Sequence, residues 1–346
     1  MQRCLQLARL GAYSAAPNPL VGAVLVHDGQ VLAEGWHKVA GGPHAEVECL
    51  RVFGDGPIPE GAMLYVNLEP CSHHGRTPPC ADLLIERKVK HVVIGQEDPF
   101  PAVAGRGIQK LRDAGITVTT DVLHDECRWV QRRFLTSVEK GRPYIVLKWA
   151  RSADGFLDQH PRKERAVKRI SSPESDVLVH RWRTEEQAIL VGSRTVVNDD
   201  PSLTVRHVEG RQPLRVVLDR DGISADESKV FDGTASTLLF NGTLRAALPV
   251  EQVLVPDDVD PIHLMLAELH KRDIRSILVE GGAELLSHFI ARGLWDEARV
   301  ITGEVKFTTG TRAPDLNAHL VHTEVRGTDR LELFTAHHIA GATWDR

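Results

Sequence analysis

The first 120 residues alternate short apolar runs with helical patterns. Residues 2–10 show helical spacing around Leu5 and Ala8, and Gly11 is a C-terminal stop. Residues 21–26 and 31–35 are apolar runs. Asp28-Gly29 between them signals a hairpin, because a two-residue turn needs positive φ at both positions. A helix from about His44, a strand over 63–67, a helix from about Thr77, a strand over 91–94 and a helix ending near Gly115 complete the pattern. That order predicts an α/β sandwich.

Residues 123–142 are charged around one apolar patch, Trp129-Val130. They read as a linker between a domain spanning 1–122 and a domain spanning 143–346. A second α/β pattern opens at Tyr144-Ile-Val-Leu-Lys148, with strands near 188–191, 214–219 and 276–279. A helix starts at Pro173, with Ser172 as its N-cap and proline at the first position. Another, over 283–291, follows Gly281-Gly282 and stops at Gly293.

Composition narrows the class. The 346 residues are 42% hydrophobic and 26% charged, which excludes a disordered or fibrous chain. A net charge of −5 argues against a nucleic-acid partner. No run approaches the ~18 apolar residues of a membrane span. Arg3 and Arg9 interrupt the N-terminal apolar positions, so no secretory leader is read there. The expectation is a cytoplasmic protein with no membrane partner. All five cysteines lie within the first 127 residues, and their odd number suggests reduced thiols, some available to metal.

The strongest chemical signal is His44-Ala45-Glu46, followed by Glu69-Pro70-Cys71 and Cys80. One imidazole and two thiolates make three zinc ligands. Catalytic zinc keeps the fourth position for water, whereas structural zinc is closed by four side chains. Bound zinc lowers the pKa of water from about 15.7 to near 7, and a carboxylate two residues from the histidine is placed to move its proton. The H-x-E and Pro-Cys elements match the zinc-deaminase signature, but eight residues separate the cysteines where that signature has two. A closed structural site, completed by His73 or His74, stays open at this stage. Cys4, Cys49 and Cys127 lack such partners and read as structural. Gly105-Arg106-Gly107 reads as a helix-start turn rather than a phosphate loop.

The match extends through Pro17-Asn18-Pro19-Leu20-Val21-Gly22 and the whole stretch from Pro70 to Cys80. Together these segments resemble the deaminase half of the bifunctional riboflavin-biosynthesis deaminase–reductase family, in which the eight-residue spacing is the rule. The resemblance implies zinc on His44, Cys71 and Cys80, with Glu46 as proton shuttle. It makes Asn18, His73 and Thr77 candidates to hold the pyrimidine or its ribose phosphate. Where the family commonly shows Asp-Pro-Asn-Pro, this chain has Asp98-Pro99-Phe100-Pro101.

From Tyr144 onward the chain resembles the reductase half of the same family, similar in fold to dihydrofolate reductase. The matching segments are Lys148-Trp-Ala-Arg-Ser152, Ile170-Ser-Ser-Pro173, His180-Arg-Trp-Arg183, the run from Ala188 to Thr195, the run from Asp199 to Arg206, and Leu278-Val-Glu280-Gly281-Gly282-Ala283. The implied fold is an N-terminal cytidine-deaminase-like α/β sandwich plus a C-terminal dihydrofolate-reductase-like α/β domain. The implied substrate is a small pyrimidine ribonucleotide, and the cofactors are zinc and NADPH. Lys148, Asp199 and Glu280 would surround the ribose being reduced. Arg183 and Arg206, with Leu203, would hold the substrate and its 5′-phosphate. Arg151, Arg169, Thr195, Asp199, Gly281, Gly282 and Ala283 would face the dinucleotide, whose phosphates suit a helix N-terminus. Residues 159–169 are unusually basic, and Arg169 stands where the family often has tryptophan, a charge suited to a 2′-phosphate. A single-activity zinc deaminase with a degenerate second half is the alternative. The resemblance further implies a homo-oligomer, dimer or tetramer.

Overall fold

A computed structural model describes residues 1–73, 78–101, 103–161 and 168–344. The chain divides into two compact units, Met1–Gly141 with 339–342, and Arg142–His338 with 343–346.

The first unit carries helices α1 (Gln2–Arg9), α2 (Ala45–Phe53), α3 (Cys80–Glu86), α4 (Arg106–Asp113) and α5 (His124–Lys140). Its strands are β1 (Gly22–His27), β2 (Gln30–Trp36), β3 (Met63–Val66), β4 (His91–Ile94) and β5 (Thr117–Thr119). They form one sheet in the order β2-β1-β3-β4-β5, with β1 antiparallel to both neighbours and β3, β4 and β5 parallel. The hairpin turns at Asp28 (φ 48°) and Gly29 (φ 75°), as the dipeptide predicts. Buried Ala23, Leu25, Leu64, Val66, Val92 and Ile94 of the sheet pack with Leu50, Leu84 and Leu111 of three helices.

The expected linker is corrected. Residues 124–140 form a 17-residue helix whose Cys127 and Val130 pack with Leu5 and Ala8 of α1. The apolar patch read at Trp129-Val130 belongs to a helix buried over most of its middle, Gln131 and Arg132 included. Gln131 on α5 accepts from the Leu20 amide at 3.0 Å and donates to its carbonyl, fixing the loop that follows Asn18. A second shift concerns α3. It begins at Cys80 with Pro79 as N-cap, not at about Thr77.

The second unit contains helices α6 (Pro173–Glu185), α7 (Ser193–Asp199), α8 (Pro261–Lys271) and α9 (Ala283–Ala291). Its strands run from β6 (Tyr144–Arg151), β7 (Phe156–Gln159), β8 (Ala188–Gly192) and β9 (Leu214–Asp219) to β10 (Thr237–Asn241), β11 (Glu251–Leu254) and β12 (Ser276–Val279). They end with β13 (Glu297–Thr302), β14 (Gly310–Arg312), β15 (His319–Arg326) and β16 (Asp329–Thr335). Nine strands form one sheet, β11-β10-β9-β8-β12-β6-β13-β16-β15, parallel up to β13 and antiparallel over its last two strands. Its central strands are apolar on both faces because helices cover both. Ser172 caps α6 through its hydroxyl, as its position predicts.

Period-two alternation sorts β6 between two cores. Ile145, Leu147 and Trp149 join α8 and α9, whereas Tyr144 and Val146 join Leu178, Val179 and Trp182 of α6. Lys148 has the parity of Tyr144 and Val146. Glu280, just after β12, has the parity of Leu278, which packs in that same α6-side core.

Candidate active sites

In the first unit, His44 is the N-cap of α2 and Cys80 opens α3, while Cys71 lies on the loop after β3. The loop and the two helix starts converge. His44 Nδ1 lies 3.6 Å from Cys71 Sγ and 3.3 Å from Cys80 Sγ, and the Cys80 amide donates to Cys71 Sγ at 3.3 Å. A tetrahedral zinc with bonds of roughly 2.3 Å to sulfur and 2.0 Å to nitrogen sets its ligand atoms about 3.5 Å apart. The residues present fit that ion. Among the described residues the donor cluster holds these three side chains and no fourth. His73 is not in it, and His74 lies outside the described residues. One imidazole and two thiolates are a donor set of the kind that a catalytic zinc uses.

Electrostatics in the cluster follow from proximity. The Cys71 thiol is held down to about 4, first by a hydrogen bond from the Cys80 thiol and then by His44, with burial opposing. Cys80 is pushed well above its ordinary value because its neighbour carries the charge. The hydrogen bond with Cys71 raises His44. Glu46, 3% exposed, is raised to about 7 by burial. By contrast Cys4, Cys49 and Cys127 are free and buried, and burial pushes each to about 12, in keeping with inert thiols.

A cleft opens beside the cluster, lined by Asn18, His37, His44, Glu46, Cys71 and Asp98 among others. His37 escaped the sequence reading. Its Nδ1 hydrogen-bonds the Pro43 carbonyl at 2.9 Å, which leaves Nε2 to accept from the Asn18 amide at 3.0 Å. Burial lowers its pKa, so it is held neutral. The only signal was a histidine seven residues before His44.

Glu69 also lines this cleft and was read only as part of Glu-Pro-Cys. Its buried carboxylate accepts four backbone amides, those of Asp98, Gly105, Gly107 and Ile108, at 2.8–3.1 Å. It thus occupies the N-terminus of α4, where orphan amides and the helix dipole favour an anion. Gly105-Arg106-Gly107 is accordingly a helix start. A Cβ on Gly107 would lie 2.0 Å from the Pro70 carbonyl oxygen, so only glycine lets α4 approach the loop bearing Cys71. Thr77, expected at this site, lies outside the described residues.

In the second unit, Arg183 on α6 meets Glu280 side-on, with Nε–Oε1 at 2.9 Å and Nη2–Oε2 at 2.8 Å. Its Nη1 donates to the Thr204 carbonyl, next to buried Leu203. Burial alone would raise the Glu280 carboxyl, but Arg183 and Lys148 outweigh it and hold it at about 2. Burial lowers the Lys148 ammonium, with Glu280 opposing. Lys148 lies within β6, and Asp199 is the last residue of α7.

Arg206 is exposed, and its backbone amide donates to His180 Nδ1 at 2.9 Å. Thr195 and Gly282 do come together. The Gly282 amide at the start of α9 donates to Thr195 Oγ1 at 2.9 Å, beside Gly281 and Ala283. Arg151 instead spends Nε on Thr302 Oγ1 and Nη2 on Glu332 Oε2, both at 3.0 Å, in the adjoining strands. Arg169 is ion-paired with Asp176 on α6. The six residues 162–167 of the basic stretch lie outside the described residues.

Comparison with known proteins covers both halves. The model of the cytidine and deoxycytidylate deaminase zinc-binding region matches residues 1–96, and that of the RibD C-terminal domain matches residues 143–329. The riboflavin biosynthesis protein RibD of Aquifex aeolicus is 37% identical over 94% of this chain and 92% of its own length. That of Escherichia coli is 38% identical over 86% and 84%. The crystal structure of a diaminohydroxyphosphoribosylaminopyrimidine deaminase/5-amino-6-(5-phosphoribosylamino)uracil reductase from Thermotoga maritima superposes with a TM-score of 0.88 at 36% identity, covering 97% of each chain. Acinetobacter baumannii RibD gives 0.86 at 34% identity, covering 96% of this chain and 97% of its own.

Proposed function

Because the chain belongs to the bifunctional RibD family of riboflavin biosynthesis, joining a zinc-dependent deaminase to an NADPH-dependent reductase, we propose how its own residues divide that work. The first unit hydrolyses the 2-amino group of 2,5-diamino-6-ribosylamino-4(3H)-pyrimidinone 5′-phosphate. The second reduces the ribosyl group of the product to ribityl. A single-activity deaminase with a degenerate second half is not favoured, because relatives align across both halves.

In the first unit His44, Cys71 and Cys80 hold the zinc. When bound, that ion supplies the Lewis acidity that makes water a nucleophile at neutral pH. Glu46 takes the proton from the attacking water and delivers it to the departing amine, which leaves as ammonia while the ring carbon becomes a carbonyl. Its burial beside His44, off the ligand set, supports this role. Asn18, oriented by neutral His37, offers its amide oxygen and second amide proton to the pyrimidine edge. His73 is a further candidate to contact the substrate, and the family resemblance adds Thr77.

In the second unit NADPH supplies the hydride that reduces C1′. The single observation that carries the residue assignment is the Arg183–Glu280 pair beside Lys148. Arg183 keeps Glu280 ionised, so the carboxylate accepts from ribose hydroxyls while Lys148 protonates the opened sugar oxygen. Asp199 completes the ribose site. With its fork spent on Glu280, Arg183 reaches the substrate through that carboxylate and Leu203, leaving Arg206 for the 5′-phosphate. Thr195, Gly281, Gly282 and Ala283 hold the dinucleotide at the α9 N-terminus, with Arg151 and Arg169 at its border. Arg169→Ala then weakens NADPH more than NADH, and equal weakening counts against it.

No helix among the described residues is long and apolar enough to cross a membrane. A cytoplasmic location and a dimeric or tetrameric assembly follow from the family reading, and light scattering tests the assembly. The deciding experiment supplies the diaminopyrimidinone ribosyl phosphate and NADPH, with and without a zinc chelator, and follows cofactor oxidation. Oxidation that the chelator abolishes and deaminated substrate restores supports both activities in that order. No oxidation with either substrate removes the reductase assignment.

A further inference from the structure

Two loops flank the deaminase cleft, and each contributes a lining residue: Cys71 from one and Asp98 from the other. Two residues beyond each lies an exposed ring, His73 and Phe100, and these rings meet across the gap with centroids 6.4 Å apart and planes tilted by 42°. Phe100 is 39% exposed, so part of its ring surface is open to contact at this edge.

Its backbone is not free to withdraw. The Phe100 amide donates to Asp98 Oδ1 at 2.8 Å. The Asp98 amide in turn donates to Glu69 Oε2 at 3.1 Å, and the same oxygen takes the Gly105 amide at 3.0 Å. One buried carboxylate therefore pins both ends of the Phe100 loop. The ring is held at the rim by a chain of hydrogen bonds that starts inside the cleft.

We infer that Phe100, paired with His73, is a specificity-determining residue of the deaminase, an aromatic rim on which the flat pyrimidine stacks as it enters. An amide at this position would bind by directional hydrogen bonds. A phenyl ring instead offers a π face, which selects planar heteroaromatic rings and tolerates variation in their polar substituents. This rests on the deaminase reading proposed above.

The test uses the full chain loaded with zinc and measures ammonia release from the diaminopyrimidinone ribosyl phosphate. Variants are Phe100→Ala, Phe100→Leu and Phe100→Trp, each checked for one equivalent of zinc. Stacking predicts that Phe100→Ala raises KM about tenfold or more with kcat within about twofold, since aromatic–base stacking is lost from binding alone. Phe100→Trp keeps the wild-type KM, and Phe100→Leu behaves like alanine. If leucine restores KM, the rim is merely apolar cover and the inference is overturned. An unchanged KM in Phe100→Ala, with wild-type enzyme active, overturns it while leaving the deaminase reading intact. Absence of ammonia release by the wild-type chain removes both.

Discussion

Arg183 and Glu280 face one another as a two-pronged pair, their side chains only 12% and 9% exposed. Arg183 stands on α6 and Glu280 just beyond β12, so the pair fastens a helix to the end of a central strand. Removing one partner strands the other charge, which in a buried pair costs about 3–5 kcal/mol. Arg183→Met is therefore expected to lower unfolding free energy by that amount, read from urea denaturation. It should also abolish NADPH oxidation with deaminated substrate. A loss of activity at unchanged stability would locate Arg183 at the substrate instead of behind Glu280.

The same pair sets an acid limit. Glu280 is held at about 2, below its ordinary value of 4.5. A carboxylate depressed by folding contributes stability that is complete above about pH 4.5 and fades as pH falls towards 2, because the unfolded chain then takes up the proton first. The stability difference between wild type and Glu280→Gln should narrow across that window and stay constant above it. Denaturant titrations at successive pH values read it directly.

Glu46→Gln keeps shape and volume at a buried position but cannot carry the proton. Ammonia release should fall by roughly 10²–10⁴-fold, the usual contribution of a positioned acid–base group. Zinc content by elemental analysis should stay at one per chain, since Glu46 is outside the donor cluster. Loss of zinc in this variant would make Glu46 a ligand rather than a shuttle.

Glu69→Ala leaves four amides without their shared acceptor. Water entering from the cleft recovers part of the loss, so the expected cost is about 2–4 kcal/mol. The first unit should show it as a lower thermal midpoint and faster amide exchange at Gly107 and Ile108. Unaltered exchange there would mean that α4 starts equally well without the carboxylate.

The sequence made the order of elements legible because its signals are local. Apolar runs gave the strands at 91–94, 214–219 and 276–279, and Ser172-Pro173 and Gly293 bounded their helices. The convergence of His44, Cys71 and Cys80 was legible as well, since H-x-E and Pro-Cys place chemistry that few other arrangements need. What was not legible depends on distant partners. Residues 124–140 read as a linker because their buried stripe has meaning only once α1 is there to cover it. His37 and Glu69 carry no motif of their own, and their roles come from Asn18 and from the α4 amides. Arg183 and Arg206 look alike as forked cations, yet only folding shows which one is already taken.

Strand β6 alternates between two cores, and Lys148 owes its place to an even count of residues from Tyr144. Chemistry here is thus written in arithmetic modulo two. A single codon inserted between Tyr144 and Leu147 would turn the ammonium towards α8 and α9 and deliver Leu147 to Glu280, although every hydrophobic residue survived. Two codons inserted together would restore the parity. Lineages of this reductase should therefore vary in length within the loops between strands and almost never within β6.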